Sequence, residues 1–421
     1  MSDRDLIKRH LAYDFTEPIR DPLWSHVYLS PGLKRVVATP QFQKLGGIRQ
    51  LGPTYMVYPG ATHTRLSHSL GVFFLARKMI QALISCEAAD DLSDLGVRSF
   101  LCAALLHDLG HFPYAHSLKE LPLATHEQLT ARIILNTPLA EVIERETGAD
   151  PLMVAQIIDT AIDSGGSAEV GAYRKVLSGV LDPDKLDYLT RDAYFCGVPY
   201  GVQDVDFIIS KLRFHREAGL VVDQQGLHAV ENVLFSKYLM YRTIYWHKTV
   251  RIATAMIKKA LHGEISSGAI QAEDLYGLDD SEFFARFGAP HHQGARLISG
   301  VGERKLYKLA AEIPFDETLG FHSSLLDLGV RAGIESELGR ELNLAANGVI
   351  IDVPEPISFE VDLLMESGDT LVPFVEAGTV FTKDVVSGFS RSLRKVRVFT
   401  EHSEADSRRV TNIAAQMLSR T

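Results

Sequence analysis

The sequence has little cysteine, no long apolar run and no surplus of basic residues. Its 421 residues include three cysteines, Cys86, Cys102 and Cys196, which lie far apart and form no CxxC pair. This set excludes a disulfide framework and a cysteine-rich zinc site, and it predicts ordinary buried thiols in a reducing compartment. No run is long enough to cross a bilayer, and Met1–Asp5 lacks the apolar core of a signal peptide. We therefore expect a cytoplasmic protein with no membrane partner.

The charge balance is acidic, with 53 Asp and Glu against 43 Lys and Arg, which gives a formal net charge of -10. Bulk binding of nucleic acid depends on basic side chains that neutralise many phosphates, so this balance argues against it. A local basic pocket for a small anion remains compatible with it. Hydrophobic residues make up 46% of the chain, which is enough for a sizeable core without disulfides.

Helical patterns dominate the first three quarters of the chain. Apolar residues recur at three-four spacing from Arg65 onward, and Val97–Leu106 is a nearly continuous apolar run followed by a glycine stop. Thr125 and Gln128 form a capping box that opens another helix. Further helices are predicted over these ranges: 128–160 with a break near 147–151, 184–194, 204–213, and a long one over 230–262.

Strand patterns are short and concentrate near the C-terminus. Val27–Leu29 and Tyr55–Tyr58 are predicted as early strands, and the β-branched runs Val349–Val353 and Val396–Thr400 as late ones. A final helix is predicted over residues 404–420. The pattern predicts a mainly α fold, with a helical catalytic body over 1–345 (core motifs 50–260) and a small C-terminal α+β subdomain over 346–421.

Histidine and aspartate concentrate in a pattern that suits a metal site. His68 lies on the first long helix, His107-Asp108 follows the buried apolar run, and Asp184 opens a later helix. Two imidazoles and two carboxylates suit a divalent ion and leave positions for water and substrate oxygens. Ionisable groups at the end of a buried helix also need partners. We predict that all four residues bind a divalent metal ion, preferably Mn or Mg, although the pattern does not distinguish these from Fe, Zn or Ni.

Side chains beside these ligands are suitable partners for phosphate. Arg65 lies one helical turn before His68. Three further side chains share one face of the helix that Asp184 opens: Lys185, Tyr188 and Asp192. Arg, Lys and Tyr donate hydrogen bonds to phosphate oxygens. Nearby histidines add donors or proton carriers: His111, His116 and His126.

The combined motifs resemble those of the HD-domain deoxynucleoside triphosphate triphosphohydrolases. The resemblance is carried by Gln50-Leu51-Gly52, the run from Pro59 to Val72, the run from His107 to His116, the run from Leu181 to Asp192, and Tyr245-Trp246-His247-Lys248. It covers roughly residues 20–260 and returns weakly near Ile351–Pro354. The resemblance implies an HD-domain helical bundle and a metal-dependent cut of a dNTP at the α-phosphorus, which releases a deoxynucleoside and inorganic triphosphate.

The resemblance also implies a role for each matching residue. The metal ligands are the same four: His68, His107, Asp108 and Asp184. Contacts to the phosphates fall on Arg65, His111, Lys185, Tyr188 and Lys237, the last standing where the family has an arginine. Proton transfer falls on His116 as general acid and on His126, with Glu127 behind it. Sugar recognition falls on Gln50 and Asp192 at the 3′-hydroxyl and on Leu51 and Tyr245, which crowd the 2′ position. The resemblance further implies a homo-oligomer, a dimer or a tetramer.

Two departures from the family pattern affect these expectations. Ala38 and Gly46 stand where relatives have an aspartate and an arginine that help bind a regulatory guanine nucleotide, and of that set only Gln43 is kept. Activation of that type is therefore not expected. Lys119 stands where the family often has an acidic residue, which affects the detail of proton transfer.

Two alternative functions remain open at the level of the sequence. HD sites also serve nucleoside monophosphatases and phosphodiesterases, so the scaffold alone does not decide the reaction. Lys185, Tyr188 and Lys237 favour a triphosphate, because they would be surplus for a single phosphate. A non-catalytic dNTP sensor is the second alternative, and the complete set of metal ligands argues against it.

Overall fold

Helices make up most of the protein, and its short strands lie mostly in the C-terminal part. The computed structural model describes residues 2–84, 92–215, 218–357, 359–401 and 407–418. The helices are α1 (Asp3–Tyr13), α2 (Pro31–Val37), α3 (Pro40–Gln43), α4 (Arg65–Leu83), α5 (Asp94–Leu106), α6 (His126–Asn136), α7 (Leu139–Thr147), α8 (Pro151–Ile158), α9 (Ala168–Leu177), α10 (Pro183–Cys196), α11 (Val205–Lys211), α12 (Leu227–Met240), α13 (Lys248–Ser266), α14 (Asp280–Phe287), α15 (Ala295–Gly302), α16 (Gly320–Ser324), α17 (Leu328–Glu341), α18 (Lys383–Leu393) and α19 (Ser407–Leu418). The strands are β1 (Glu17–Asp21), β2 (Ser25–Leu29), β3 (Leu212–His215), β4 (Gly219–Asp223), β5 (Lys308–Pro314), β6 (Val349–Asp352), β7 (Leu364–Ser367), β8 (Thr370–Pro373) and β9 (Lys395–Thr400).

Helices α4, α5 and α10 form the centre of the helical body. Every residue from Ser99 to Pro113 is buried, as the apolar run of α5 predicts. α10 begins sharply because Asp182 caps it and Pro183 occupies the first turn. α4 packs against both α5 and α10. This packing brings the first turns of α4 and α10 to the C-terminal end of α5.

Gly71 permits the close approach of α4 to α10. A Cβ at this position would lie 1.9 Å from Oδ1 of Asp187 and 2.5 Å from the Arg191 guanidinium. Any side chain there would therefore displace the Asp187–Arg191 pair or push the two helices apart.

The sheets join segments that are distant along the chain. β1 and β2 form an antiparallel hairpin, and β3, β4, β7 and β8 form a sheet in that order. β4 pairs in parallel with β7, with Val222 opposite Met365. β9 lies between β5 and β6 in a third sheet, so its partners come from both sides of residue 345. The division into two units at residue 345 stays a prediction.

The predicted strand over Tyr55–Tyr58 is wrong, because Gly52–Met56 is a 3₁₀ helix. Gly52 has a φ of 48°, which turns the chain, and Pro53 restricts φ in the first turn of the helix. The aromatic and apolar composition of this short run, which suggested a strand, reflects separate tertiary contacts instead. The Arg49 guanidinium stacks on Tyr55, and the Tyr58 hydroxyl donates to the Thr243 carbonyl.

The predicted long helix over 230–262 is two helices. α12 ends at Met240, a π-helical turn spans Tyr241–Tyr245, and α13 begins at Lys248. His247 separates them because its Nδ1 accepts the Thr249 amide and so caps α13.

Three other helix boundaries also differ from prediction. The chain between 128 and 160 breaks at Thr137–Pro138 as well as near Gly148, because proline interrupts the helical hydrogen bonding. α11 ends at Lys211, and the next four residues pair as β3. α5 ends at Leu106, four residues before the predicted glycine stop at Gly110.

Several local predictions are confirmed. β2 contains Val27–Leu29, β6 and β9 lie at the two predicted late strands, and Thr125 with Gln128 forms the capping box of α6. Cys102 is a buried free thiol and Cys196 a half-buried one, whereas Cys86 lies outside the described residues. Across the described ranges, no helix combines the length and apolarity needed to cross a bilayer.

Candidate metal centre and nucleotide site

His68, His107 and Asp184 converge at the junction of α4, α5 and α10. One ligand atom from each lies within 4.8 Å of the others. Oδ1 of Asp184 lies 3.0 Å from Nε2 of His68 and 3.9 Å from Nε2 of His107. Two imidazoles and a carboxylate in this arrangement suit one divalent ion.

Asp108, the fourth predicted ligand, lies beside this trio and also faces a second cluster. Its Oδ1 is 3.3 Å from Nε2 of His107, and its Oδ2 is 3.9 Å from Nε2 of His68. Arg65 donates to the same Oδ2 at 2.6 Å. Asp108 also groups with His111 and His126 as a second set that could hold an ion. The carboxylate therefore connects the trio to the candidate proton-transfer residues.

The orientation of His68 is fixed by Asp187, which sequence reasoning did not single out. Nδ1 of His68 donates to Oδ2 of Asp187 at 2.8 Å, which leaves Nε2 facing Asp184. Arg191 and Trp24 donate to the same carboxylate, with the Trp24 indole at 2.6 Å. Such a carboxylate partner fixes both the tautomer and the ring orientation of a metal-binding histidine. The i, i+3 spacing of Asp184 and Asp187 on α10 was the available sequence signal.

The pKa shifts of His68 and Asp184 follow from their close contact. Burial lowers the pKa of His68, but hydrogen bonds to Asp184 and Asp187 outweigh it and raise the pKa to about 10. Desolvation by the surrounding protein raises the pKa of Asp184. The hydrogen bond and charge of His68 outweigh this effect and bring the pKa well below its usual range. His68 must therefore release its Nε2 proton before that atom can bind a cation.

The donors at this junction fit a bound divalent ion. Nδ1 of His107 donates to the Ala104 carbonyl at 3.0 Å, so its Nε2 carries the free lone pair. This Nε2 is buried and has no hydrogen-bond partner among the described residues. Buried polar atoms are normally satisfied, so an unpaired nitrogen beside two other potential ligands indicates a site for a ligand. His68, His107 and Asp184, with Asp108 beside them, would hold the ion.

Three histidines form a compact group next to Asp108. The rings of His111 and His126 stack at 4.0 Å, and the His116 ring lies 4.7 Å from that of His111. Nδ1 of His126 lies 3.2 Å from the Glu127 carboxylate. Gly110 permits this packing, because a Cβ there would lie 2.2 Å from the His126 carbonyl oxygen.

Desolvation and the nearby Arg65 charge lower the pKa of all three histidines and so favour their neutral forms. Burial, followed by the nearby Arg65 charge, lowers the pKa of His111 well below its usual value. His116 is partly exposed to solvent, yet desolvation by the surrounding protein and the Arg65 charge lower its pKa well below its usual value. Burial also lowers the pKa of His126. An anionic ligand beside them would offset Arg65 and favour protonation.

Two lysines meet at one anionic oxygen near the start of α10. Nζ of Lys185 lies 2.9 Å from Oε2 of Glu360, and Nζ of Lys237 lies 3.8 Å from the same oxygen. Lys185 also donates to Oδ2 of Asp182 at 2.6 Å. Neither Asp182 nor Glu360 was predicted from the sequence. The Asp182 contact is local, at i, i+3 across the start of α10, whereas the Glu360 contact depends on tertiary packing. Tyr188 lies on the same helix as Lys185, and burial raises its pKa well above the usual value.

Asp192 and Tyr245 meet further along α10, toward its C-terminal end. The Tyr245 hydroxyl donates to Oδ2 of Asp192 at 2.7 Å, and Nε2 of His63 lies 2.8 Å from its Oδ1. The π-helical turn between α12 and α13 carries Tyr245 to this position. The Gln50 side-chain oxygen is buried and accepts no hydrogen bond from the described residues. Leu51 is half-buried against the main core.

Comparison with known proteins places the chain in a family. A model of the HD domain matches residues 65–168, and a model of the HD-associated region matches residues 203–419. The uncharacterized protein YwfO of Bacillus subtilis is 32% identical over 340 residues, which cover 75% of this chain and 76% of that protein.

Two further comparisons reach more distant proteins. The deoxynucleoside triphosphate triphosphohydrolase SAMHD1 of Bos taurus is 27% identical over 81% of this chain and 66% of that protein. The crystal structure of a hypothetical protein from Aquifex aeolicus has a TM-score of 0.73 and 26% identity, covering 96% of this chain and 99% of that one. The chain therefore belongs to the HD-domain phosphohydrolase family and carries the HD-associated region.

Proposed function

We propose that this protein hydrolyses deoxynucleoside triphosphates at the α-phosphorus, with release of a deoxynucleoside and inorganic triphosphate. The observation that carries the proposal is the pair Lys185 and Lys237, whose ammonium groups lie 2.9 Å and 3.8 Å from a single carboxylate oxygen. Lys185 directly follows the candidate ligand Asp184. The lysine pair thus offers a second anion position beyond the metal centre, which a single phosphate would not need. The similarity to SAMHD1, a deoxynucleoside triphosphate triphosphohydrolase, supports the same substrate class.

The chain's own side chains supply most of the proposed chemistry. A divalent ion, Mn or Mg by preference, supplies Lewis-acid polarisation of a phosphoryl oxygen and lowers the pKa of water. Arg65, Lys185 and Lys237 offset the negative charge of the triphosphate, while His111 and Tyr188 donate hydrogen bonds to its oxygens. His116 protonates the leaving 5′ oxygen, and His126 with Glu127 supports that transfer.

Sugar selection is proposed to lie around Asp192, near the C-terminal end of α10. The unpaired Gln50 oxygen and the Asp192 carboxylate are acceptors for a 3′-hydroxyl. Leu51 and the Tyr245 ring are proposed to leave no room or partner for a 2′-hydroxyl, which would penalise ribonucleotides. By the same family similarity we expect a homo-oligomer, which light scattering of the purified protein can test.

The proposal is tested by product analysis with a panel of nucleotides. The purified protein is incubated with each dNTP and Mn or Mg in the absence of GTP, and the products are separated by ion-exchange chromatography. We expect a deoxynucleoside and triphosphate in equal amounts. No product from any dNTP, with or without GTP, would overturn the proposal and favour a monophosphatase, a phosphodiesterase or a nucleotide sensor.

A further inference from the structure

Glu360 lies at the position that the proposed function assigns to a phosphate group. It belongs to the segment between β6 and β7, far along the chain from the HD motifs. Its Oε2 nevertheless reaches Nζ of Lys185 at 2.9 Å and Nζ of Lys237 at 3.8 Å. A carboxylate oxygen and a phosphate oxygen make the same charge-assisted contacts with ammonium groups. The two anions would therefore compete for the lysine pair.

The two lysine side chains are much less exposed to solvent than the Glu360 side chain that contacts them. The side chains of Lys185 and Lys237 are 14% and 9% exposed, whereas that of Glu360 is 43% exposed. The lysines are thus fixed in the protein, and Glu360 reaches them from the solvent side. An ion pair that is partly open to water contributes little stabilisation, so its displacement by another anion is feasible.

The neighbouring residues of Glu360 anchor its backbone. Phe359 is buried against Phe389, with ring centroids 5.9 Å apart, and Leu363 is also buried. The Leu363 carbonyl accepts the Phe374 amide at 2.8 Å. Displacement of Glu360 therefore requires only a rotation of its side chain toward solvent, while the segment stays in place.

We propose that Glu360 is a specificity-determining residue that competes with the polyphosphate chain for Lys185 and Lys237. This inference rests on the proposed function, because it takes the lysine pair to be the phosphate site. A polyphosphate that reaches both lysines must displace the carboxylate and loses part of its binding free energy. Inorganic phosphate has only one phosphate group, which can occupy the metal centre without a second group at the lysines, so it does not have to displace the carboxylate. Glu360 thus sets how strongly the site favours a long phosphate chain over a short one.

The test compares two charge-neutralising variants of the same segment by calorimetry. Glu360→Gln removes the competing charge, and Asp362→Asn is the matched control, since Asp362 is exposed and makes no ion pair with the described residues. The ligands are inorganic triphosphate and inorganic phosphate at saturating Mg²⁺. We expect Glu360→Gln to lower the Kd for triphosphate about threefold to tenfold. We expect no change in the Kd for phosphate, and no change for either ligand in Asp362→Asn.

A double-mutant cycle assigns the effect to the lysine pair. In a Lys237→Met background, the gain from Glu360→Gln should shrink, because one of the two contested contacts is absent. An unchanged or raised triphosphate Kd in Glu360→Gln would overturn the inference, as would an equal gain in Asp362→Asn. If this binding test failed while dNTP turnover was intact, only the role proposed for Glu360 would be refuted. If Glu360→Gln bound triphosphate more tightly but the protein turned over no dNTP, the proposed reaction would be refuted instead.

Discussion

Nδ1 of His68 lies 2.8 Å from Oδ2 of Asp187, and this contact turns Nε2 of the same ring toward Asp184. The relationship depends on the close packing of α4 against α10, which Gly71 permits. Metal-binding histidines commonly have such a carboxylate partner, and its loss weakens metal affinity. The junction of three helices therefore determines the candidate metal centre as much as the ligand residues do.

Replacement of Asp184 is expected to remove both metal and activity. Asp184→Ala takes away the carboxylate that faces His68 and His107, so the remaining donors bind an ion far more weakly. We expect loss of bound metal by atomic absorption and loss of dNTP turnover. Asp369→Ala, at an exposed position between β7 and β8, is the control and should keep both. Normal turnover in Asp184→Ala would contradict the assignment.

Gly71→Ala is expected to weaken metal binding indirectly, by disturbing the Asp187 carboxylate that orients His68. The added Cβ would lie 1.9 Å from Oδ1 of Asp187, so either the Asp187 carboxylate moves or the helices separate, and in both cases His68 loses the partner that orients it. Overpacking of this kind typically costs about 1–3 kcal/mol of the free energy of unfolding. We also expect the metal Kd to rise about tenfold or more. Denaturant titration and metal-binding calorimetry measure the two effects.

Gly263→Ala is the matched control for Gly71→Ala. Gly263 lies within α13, and a Cβ there would meet no atom within 4 Å. Alanine should raise the free energy of unfolding by about 0.5–1 kcal/mol, because it has the higher helix propensity. If Gly71→Ala behaved like this control, the close approach of α4 and α10 would not be needed for metal binding.

His116→Asn tests the assignment of the general acid. We expect kcat to fall about 100-fold to 10,000-fold, because the leaving 5′ oxygen loses its proton donor. Desolvation and Arg65 lower the pKa of His116 in the free protein, so a triphosphate that offsets Arg65 should raise it on binding. The wild-type kcat should therefore decline as pH rises through the pKa of the complex. Persistence of this alkaline decline in His116→Asn would assign the acid to another residue.

Gln50→Leu tests recognition of the sugar. The Gln50 oxygen is buried without a partner among the described residues, so it is available to accept the 3′-hydroxyl. Loss of one such hydrogen bond should lower kcat/KM for a dNTP about tenfold. The preference of the wild-type protein for a dNTP over its 2′,3′-dideoxy analogue should shrink by a similar factor. An unchanged preference would place 3′ recognition elsewhere.

The sequence predicts those parts of the fold that depend on local patterns. The capping box at Thr125 and the apolar run of α5 each determine a structure through residues a few positions apart. The same logic fails at Tyr55–Tyr58, where the strand-like composition serves unrelated tertiary contacts of a 3₁₀ helix and the turn after it. It fails again at Tyr241–Tyr245, because a π-helical turn has the composition of the helices on either side.

In the candidate site, too, the features carried by local motifs were predicted and those that depend on tertiary contacts were not. His68, His107 and Asp184 were predicted from their motifs and lie together in the structure. Asp187, which orients His68, and Glu360, which contacts the lysine pair, were not predicted. Each contact joins residues more than 100 positions apart, which a single sequence does not reveal.

Hydrolysis in ¹⁸O-labelled water tests the central claim most directly. Attack on the α-phosphorus breaks the bond to the 5′ oxygen, so the new oxygen must enter the triphosphate. Mass spectrometry should therefore find one ¹⁸O atom in the inorganic triphosphate and none in the deoxynucleoside. Label in the deoxynucleoside, or release of a deoxynucleoside monophosphate with diphosphate, would contradict the proposed reaction.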